Sequence, residues 1–203
     1  MRAGITTSCR SANTRYTRLN LLGWAMLCPY AMELLWHGST PLVQPDYPTA
    51  DESKKLHSMV MNSVAEVVES LQARLLSAER EYQQVLGFIR EDARLCAISK
   101  ADIVYTMNIG DQLFTLYVEV SSTRINVAKP WQALLRAISL YYERRIPVGI
   151  VIVSPEKIMY KLLEDNDQDK VLKRIHRSPR DFNPNPNLCS LCELQQYCPY
   201  KVI

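Results

Sequence analysis

Apolar positions change period along this chain, and each change marks an element. Residues 19–36 ("LNLLGWAMLCPYAMELLW") cluster apolar side chains at helical spacing and predict a short helical segment. "HGSTPLVQPDYPTADES" follows with three prolines and predicts a loop. Over residues 54–90, Val60, Val64, Val67, Val68, Leu71, Leu75, Tyr82, Leu86 and Ile89 recur near every 3.6 residues. That spacing predicts one long amphipathic helix, with "TADESKK" as its capping start. "CAISKADIVYTMN" and "QLFTLYVEVSST" then turn β-rich around "NIGD" and predict a hairpin. "PWQALLRAISLYYERR" predicts a second helix, with Pro130 in its first turn. "IPVGIVIVS" is a continuous apolar, β-branched run and predicts a buried strand. "PEKIMYKLLE" and "DQDKVLKRIHRS" predict two short helices, and "PRDFNPNPN" a loop leading into the tail.

The order predicts an α/β protein with a mixed β-sheet flanked by helices. Four segments are expected: a loose extension over 1–18, an N-terminal helical segment over 19–53, a core over 54–180, and a cysteine-bearing tail over 181–203. With 203 residues, 47% of them hydrophobic, the chain can bury a full core. A charged fraction of 22% excludes a disordered tail, and a net charge of +3 neither requires nor opposes a nucleic-acid partner. No run reaches the about 18 to 20 apolar residues of a membrane span. The basic N-terminus and "LNLLGWAMLC" mimic an export signal, but Leu27 is too bulky for its cleavage site. A cytoplasmic chain without a membrane partner is expected.

The six cysteines are placed unevenly. Cys189, Cys192 and Cys198 are spaced C-x2-C-x5-C, which lets thiolates converge on one metal centre and leaves a corner open. Cys28 is the candidate to fill it, because Cys28 and Cys198 both precede proline, a pairing that recurs beside iron–sulfur ligands. Spacing alone leaves zinc and an iron–sulfur cluster open, with a disulfide as a weaker rival. Cys96, in a β-rich run, reads as a small buried hydrophobe. A second constellation is acidic. Asp102 and Glu119 sit on the two predicted hairpin strands and could hold Mg²⁺ or Mn²⁺ with waters. His57 would add a nitrogen ligand favouring Mn²⁺, and the backbone carbonyl of Val120 a further oxygen.

Together the two constellations resemble the CRISPR-associated RecB-like exonucleases of the Cas-four family, over roughly residues 19 to 201. "CPYAMELLW" at Cys28 and "CSLCELQQYC" at Cys189, Cys192 and Cys198 are similar to the family's cluster ligands. His57 in "KLHSMV", Asp102 in "KADIV", Glu119 in "YVEVS" and Gln132 in "PWQALLR" match its nuclease motifs in order. The resemblance implies a restriction-endonuclease-like (RecB-like) core, with an iron–sulfur module, four-iron rather than two-iron, formed by the two chain ends. It implies a metal-dependent exonuclease acting on single-stranded DNA ends in CRISPR spacer acquisition. The integrase complex would be a partner, and self-association is left open. Two positions depart from the family. Ser121 stands where the catalytic lysine is expected, and Arg136 where a tyrosine is. Serine carries no positive charge, so Arg124 or Lys129 would have to supply it. Gln132, Arg136, Arg124 and Lys129 are the expected DNA contacts. The alternatives are a DNA-end-binding protein of the same fold without turnover, and a zinc-stabilised structural protein.

Overall fold

The computed structural model describes residues 3–7, 9, 13–38, 55, 58–60, 62–64, 66, 73–90, 93–121, 125–180 and 182–201. Its centre is a mixed sheet of seven strands: β1 (Ala3–Thr6), β2 (Thr14–Arg18), β3 (Arg74–Arg90), β4 (Ala93–Ile109), β5 (Gln112–Val120), β6 (Val148–Val153) and β7 (Ile158–Leu162). The helices with described bounds are α1 (Leu19–Ala25), α2 (Pro29–His37), α3 (Lys129–Arg144), α4 (Asp165–Ile175) and α5 (Pro186–Leu191), with a 3-10 turn at Gln195–Tyr197. Strands run in the order β1-β3-β4-β5-β6-β7. β2 lies parallel to the first part of β4, from Thr14/Arg94 to Arg18/Ile98. β5 lies antiparallel to the last part, from Ile103/Val118 to Ile109/Gln112. Between them β4 forms a fork at residues 99–102.

The hairpin, the second helix and the buried strand lie where the apolar pattern puts them. Gly110, at φ +60°, closes the β4–β5 turn in a conformation that costs glycine nothing. α3 then carries the chain across to β6, which lies parallel to β5, since parallel neighbours need such a crossover. The main core lies between the sheet and α1–α4, and includes Leu22, Met32, Phe88, Tyr117, Leu135 and Ile138. A second cluster of Val60, Ile103, Tyr105, Met107, Val118 and Val120 covers the opposite face.

Three expectations are overturned. Residues 74–90 form a strand, not the second half of a helix, because Tyr82 and Leu86 satisfy both periods. The inward row is Gln84, Leu86 and Phe88, and polar Gln84 hides the alternation. Its Nε2 finds a partner only in three dimensions, donating to the carbonyl of Arg136 (3.2 Å). "IMYKL" is likewise a strand, which supplies β6 with an antiparallel partner from Gly149/Leu162 to Val153/Ile158. The N-terminus is not a loose extension where it is described. β1 pairs with β3, and β2 with β4.

That pairing also corrects Cys96, which is not a free buried thiol but is disulfide-bonded to Cys9 across 87 residues. Gly87 makes room for the bridge. It pairs with Thr6 on one side and Cys96 on the other, and a Cβ there would lie 2.8 Å from Thr6 Cγ2 and 3.3 Å from Cys9 Sγ.

Candidate functional site

Asp102 sits at a break in strand alternation. Residues two apart on a strand share a face, yet Ala101 packs in the helix-side core and Ile103 in the opposite cluster. β3 switches in step. Glu79 reaches Arg144 of α3 (2.6 Å), whereas beyond the switch Gln84, Leu86 and Phe88 face inward. Glu81, between the Arg80/Ile103 and Tyr82/Ala101 pairs, has φ +48°. A left-handed non-glycine residue costs about 1–2 kcal/mol. This switch lies at the fork, and Asp102 Oδ2 accepts a hydrogen bond from Val120 N (2.7 Å) across the mouth of the hairpin.

Glu119, on β5, is 2% exposed and is compensated from three directions. Lys129 Nζ pairs with its Oε1, and Arg136 Nη1 with its Oε2. The Tyr117 hydroxyl also donates to Oε2 and accepts from Arg136 Nη1 (2.8 Å). Lys129 and Arg136 are seven residues apart on α3, about two turns, so they project from one helix face toward β5. Burial pushes the Glu119 carboxyl upward, but Arg136 and Lys129 outweigh it and hold the pKa below the ordinary value. Asp102 goes the other way. Its burial and the neighbouring Glu119 charge raise its pKa beyond what the Val120 N–H, Arg136 and Lys129 offset. One carboxyl is therefore held more acidic than usual beside another held less acidic than usual.

The other predicted site residues divide. Lys129 and Arg136 reach Glu119. Gln132 is buried and donates from Nε2 to the carbonyl of Asn20 (3.2 Å), which places it between α1 and α3. Gly23 permits that approach, since a Cβ there would lie 2.4 Å from Gln132 Cγ. Val120 meets Asp102 through its N–H. Ser121 donates its N–H to Val153 O (2.8 Å), just beyond the end of β5. His57 and Arg124 lie outside the described residues. Sequence reasoning missed Tyr117, whose signal was its place two residues before Glu119 on the same strand face.

At the other end of α1, Cys28, Cys189, Cys192 and Cys198 line one cavity of about 20 Å³. Cys28 is the N-cap of α2, Cys189 lies in α5, Cys192 follows it, and Cys198 follows the 3-10 turn. The tail is held to α2 by Tyr30 stacked on Tyr200, with ring centroids 4.2 Å apart. All four thiols are free. Burial chiefly raises the pKa of Cys192 to about 11, with the Leu194 N–H lowering it and Cys28, Cys189 and Cys198 raising it. Cys28 is also raised by burial, and by Cys198 and Cys189. The donors suit a thiophilic centre, because among the described residues the lining includes no carboxylate and Lys201 adds positive charge. As they stand, no three His, Cys, Asp or Glu side chains among the described residues form a metal-holding group.

No protein-family model matches the chain, and no curated protein does. Among solved structures, that of SSO0001 is similar at 17% identity with a TM-score of 0.49, over 97% of this chain and 90% of that one. Among the described residues, no helix is long and apolar enough to cross a membrane.

Proposed function

We infer that the chain is a divalent-metal-dependent exonuclease of the RecB-like kind, acting on single-stranded DNA ends in the cytoplasm. The observation that carries this reading is the meeting of Asp102 and Glu119 at the fork, with Lys129 on Glu119. Two carboxylates with waters are a sufficient donor set for Mg²⁺ or Mn²⁺. When bound, such an ion activates water and neutralises charge on the phosphodiester. Asp102 and Glu119 would hold it. Lys129 takes over the part of the lysine that Ser121 replaces, putting positive charge where the scissile phosphate gains negative charge. Arg136 and Tyr117 orient Glu119 and hold its charge in the ion-free protein. The cysteine quartet would hold an iron–sulfur cluster or zinc and join the two ends of the chain, releasing thiol protons as it loads. A role in CRISPR spacer acquisition beside an integrase, and self-association, belong to the same reading.

A second reading has an observation of its own. Both oxygens of Glu119 already carry cationic partners, which favours a protein that binds DNA ends without turnover. Cleavage of end-labelled single-stranded DNA with Mn²⁺ separates the two. The nuclease reading expects Glu119→Gln to lose about 10²- to 10³-fold in rate. Wild-type protein that binds the strand but leaves it intact sinks that reading in favour of the second. Visible absorbance of the purified protein separates iron–sulfur from zinc.

A further inference from the structure

Beside the carboxylates, the fork opens into a cleft of about 790 Å³, within the ~300–1,000 Å³ range of ligand sites. Its walls come from β2 and the start of α1 on one side and from β3 and β4 on the other, with Arg136 at its inner end. Arg136 also reaches Ser99 Oγ from Nε (3.4 Å) and Glu119 from Nη1, so one guanidinium is shared by cleft and carboxylates. Two side chains in the cleft offer apolar surface to solvent, Tyr16 at 45% and Ile98 at 49% exposure. Arg18, paired with Ile98 in the ladder, and Lys100, two residues further along β4, add positive charge. Lys100 pairs with the exposed Glu81 at 3.4 Å, and pairs of that kind contribute little. The Thr17 hydroxyl lining the cleft is buried without a hydrogen-bond partner.

An aromatic ring, an apolar neighbour and cations in one groove are what a single strand needs. Unstacked bases lie on the ring, and phosphates meet the cations. A duplex keeps its bases stacked on one another and cannot use the ring. We propose that this cleft is the strand-binding subsite, in which a base of single-stranded DNA stacks on Tyr16 against Ile98 while Lys100 and Arg18 hold its phosphates. The strand then leads past Arg136 to Asp102 and Glu119. The inference rests on the nuclease reading for its choice of DNA but names residues which that reading does not.

Fluorescence anisotropy of labelled oligo-dT with the full chain in EDTA tests it without cleavage. Tyr16→Ala weakens binding about 5- to 150-fold, the fold-change equivalent of one lost base stack. Tyr16→Phe keeps the ring, gives up only the hydroxyl bond to Cys9 O, and binds like wild type. Lys100→Ala lowers the slope of log affinity against log salt by about 0.7. Lys100 is exposed, so this variant folds whatever becomes of Tyr16→Ala. A blunt duplex binds more weakly than oligo-dT. Wild-type affinity in Tyr16→Ala, an unchanged salt slope in Lys100→Ala, or no binding of oligo-dT by wild type each overturns the cleft. Binding that follows these expectations without cleavage in Mn²⁺ overturns the nuclease reading and leaves the cleft standing. Cleavage with binding indifferent to both variants does the reverse.

Discussion

The carboxylate fork and the cysteine cavity are built to opposite rules. At the fork, every charge on Glu119 is answered by the chain itself, from Lys129, Arg136 and Tyr117. In the cavity, four thiols are brought together and none answers another, and burial with mutual proximity raises the pKa values of Cys28 and Cys192 against the backbone N–H groups that lower them. The fork is neutralised by the chain itself, whereas on the proposed reading the cavity is completed by a bound cluster or zinc. A strand and a helix fixed by their own packing can carry opposite charges into contact. Like groups gathered from two chain ends gain nothing from meeting until something binds between them. A third arrangement makes the same point within one residue type, since Cys9 and Cys96 complete each other as a disulfide. The two sites are also linked. Asn20 donates from Nδ2 to Glu193 Oε2 in the cysteine tail (2.8 Å) and accepts from Gln132 of α3 through its carbonyl.

The largest effect should come from breaking the fork. Glu119→Ala leaves two largely buried cations without their carboxylate and should cost about 3–5 kcal/mol. Denaturant unfolding should give that loss whether or not metal is present; a loss seen only in metal-loaded protein would show that the fork is not self-neutralised. Next comes the closed cysteine pair. Cys9→Ala, or reduction of wild type, should cost about 2–4 kcal/mol, while Cys28→Ala should lower the melting temperature only of metal-loaded protein. Equal losses from Cys28→Ala in loaded and unloaded protein would erase the distinction between the two cysteine sets.

The link between the regions is tested by Gly23→Ala, which drives a Cβ into Gln132 and should cost about 1–3 kcal/mol by overpacking. An unchanged melting temperature there would mean that α1 is free to shift on α3.

Asp167, buried at the start of α4, sharpens the electrostatic side. Burial raises its pKa, but Lys161, the Glu164 N–H and Lys170 outweigh that and hold it below the ordinary 3.8. Its contribution is therefore present above the unfolded value and lost as pH falls through the lower folded one. Asp167→Asn should cost about 1 kcal/mol near neutrality, as a lost helix-start hydrogen bond does. The variant should also lack the wild-type loss of stability below pH 4 in acid titrations followed by circular dichroism.

The smallest effect is expected from Ser121→Lys. With Lys129 already on Glu119, a second ammonium should change the cleavage rate less than about threefold. An increase of the 10²- to 10³-fold that one electrostatic stabiliser is worth would mean that Lys129 does not serve in catalysis.

Local pattern alone determined the β4–β5 hairpin around Gly110, the helix opening at Pro130, and the buried strand Val148–Val153. It also singled out the two carboxylates and the four spaced cysteines. These are features whose cause lies within a few residues: a period, a turn residue, a ligand spacing. The tertiary structure decided what the period left undetermined. Residues 74–90 became a strand because β4 offered them a ladder from Ala93 to Asn108 and Arg136 offered Gln84 a carbonyl. Residues 158–162 became a strand because the edge of β6 had to be paired. Cys9 found Cys96, and Lys129 and Arg136 found Glu119, across separations that no local pattern encodes. Hydrogen bonds and ion pairs between distant segments are made only after the chain has brought them together, so the sequence carries both partners without marking them as a pair.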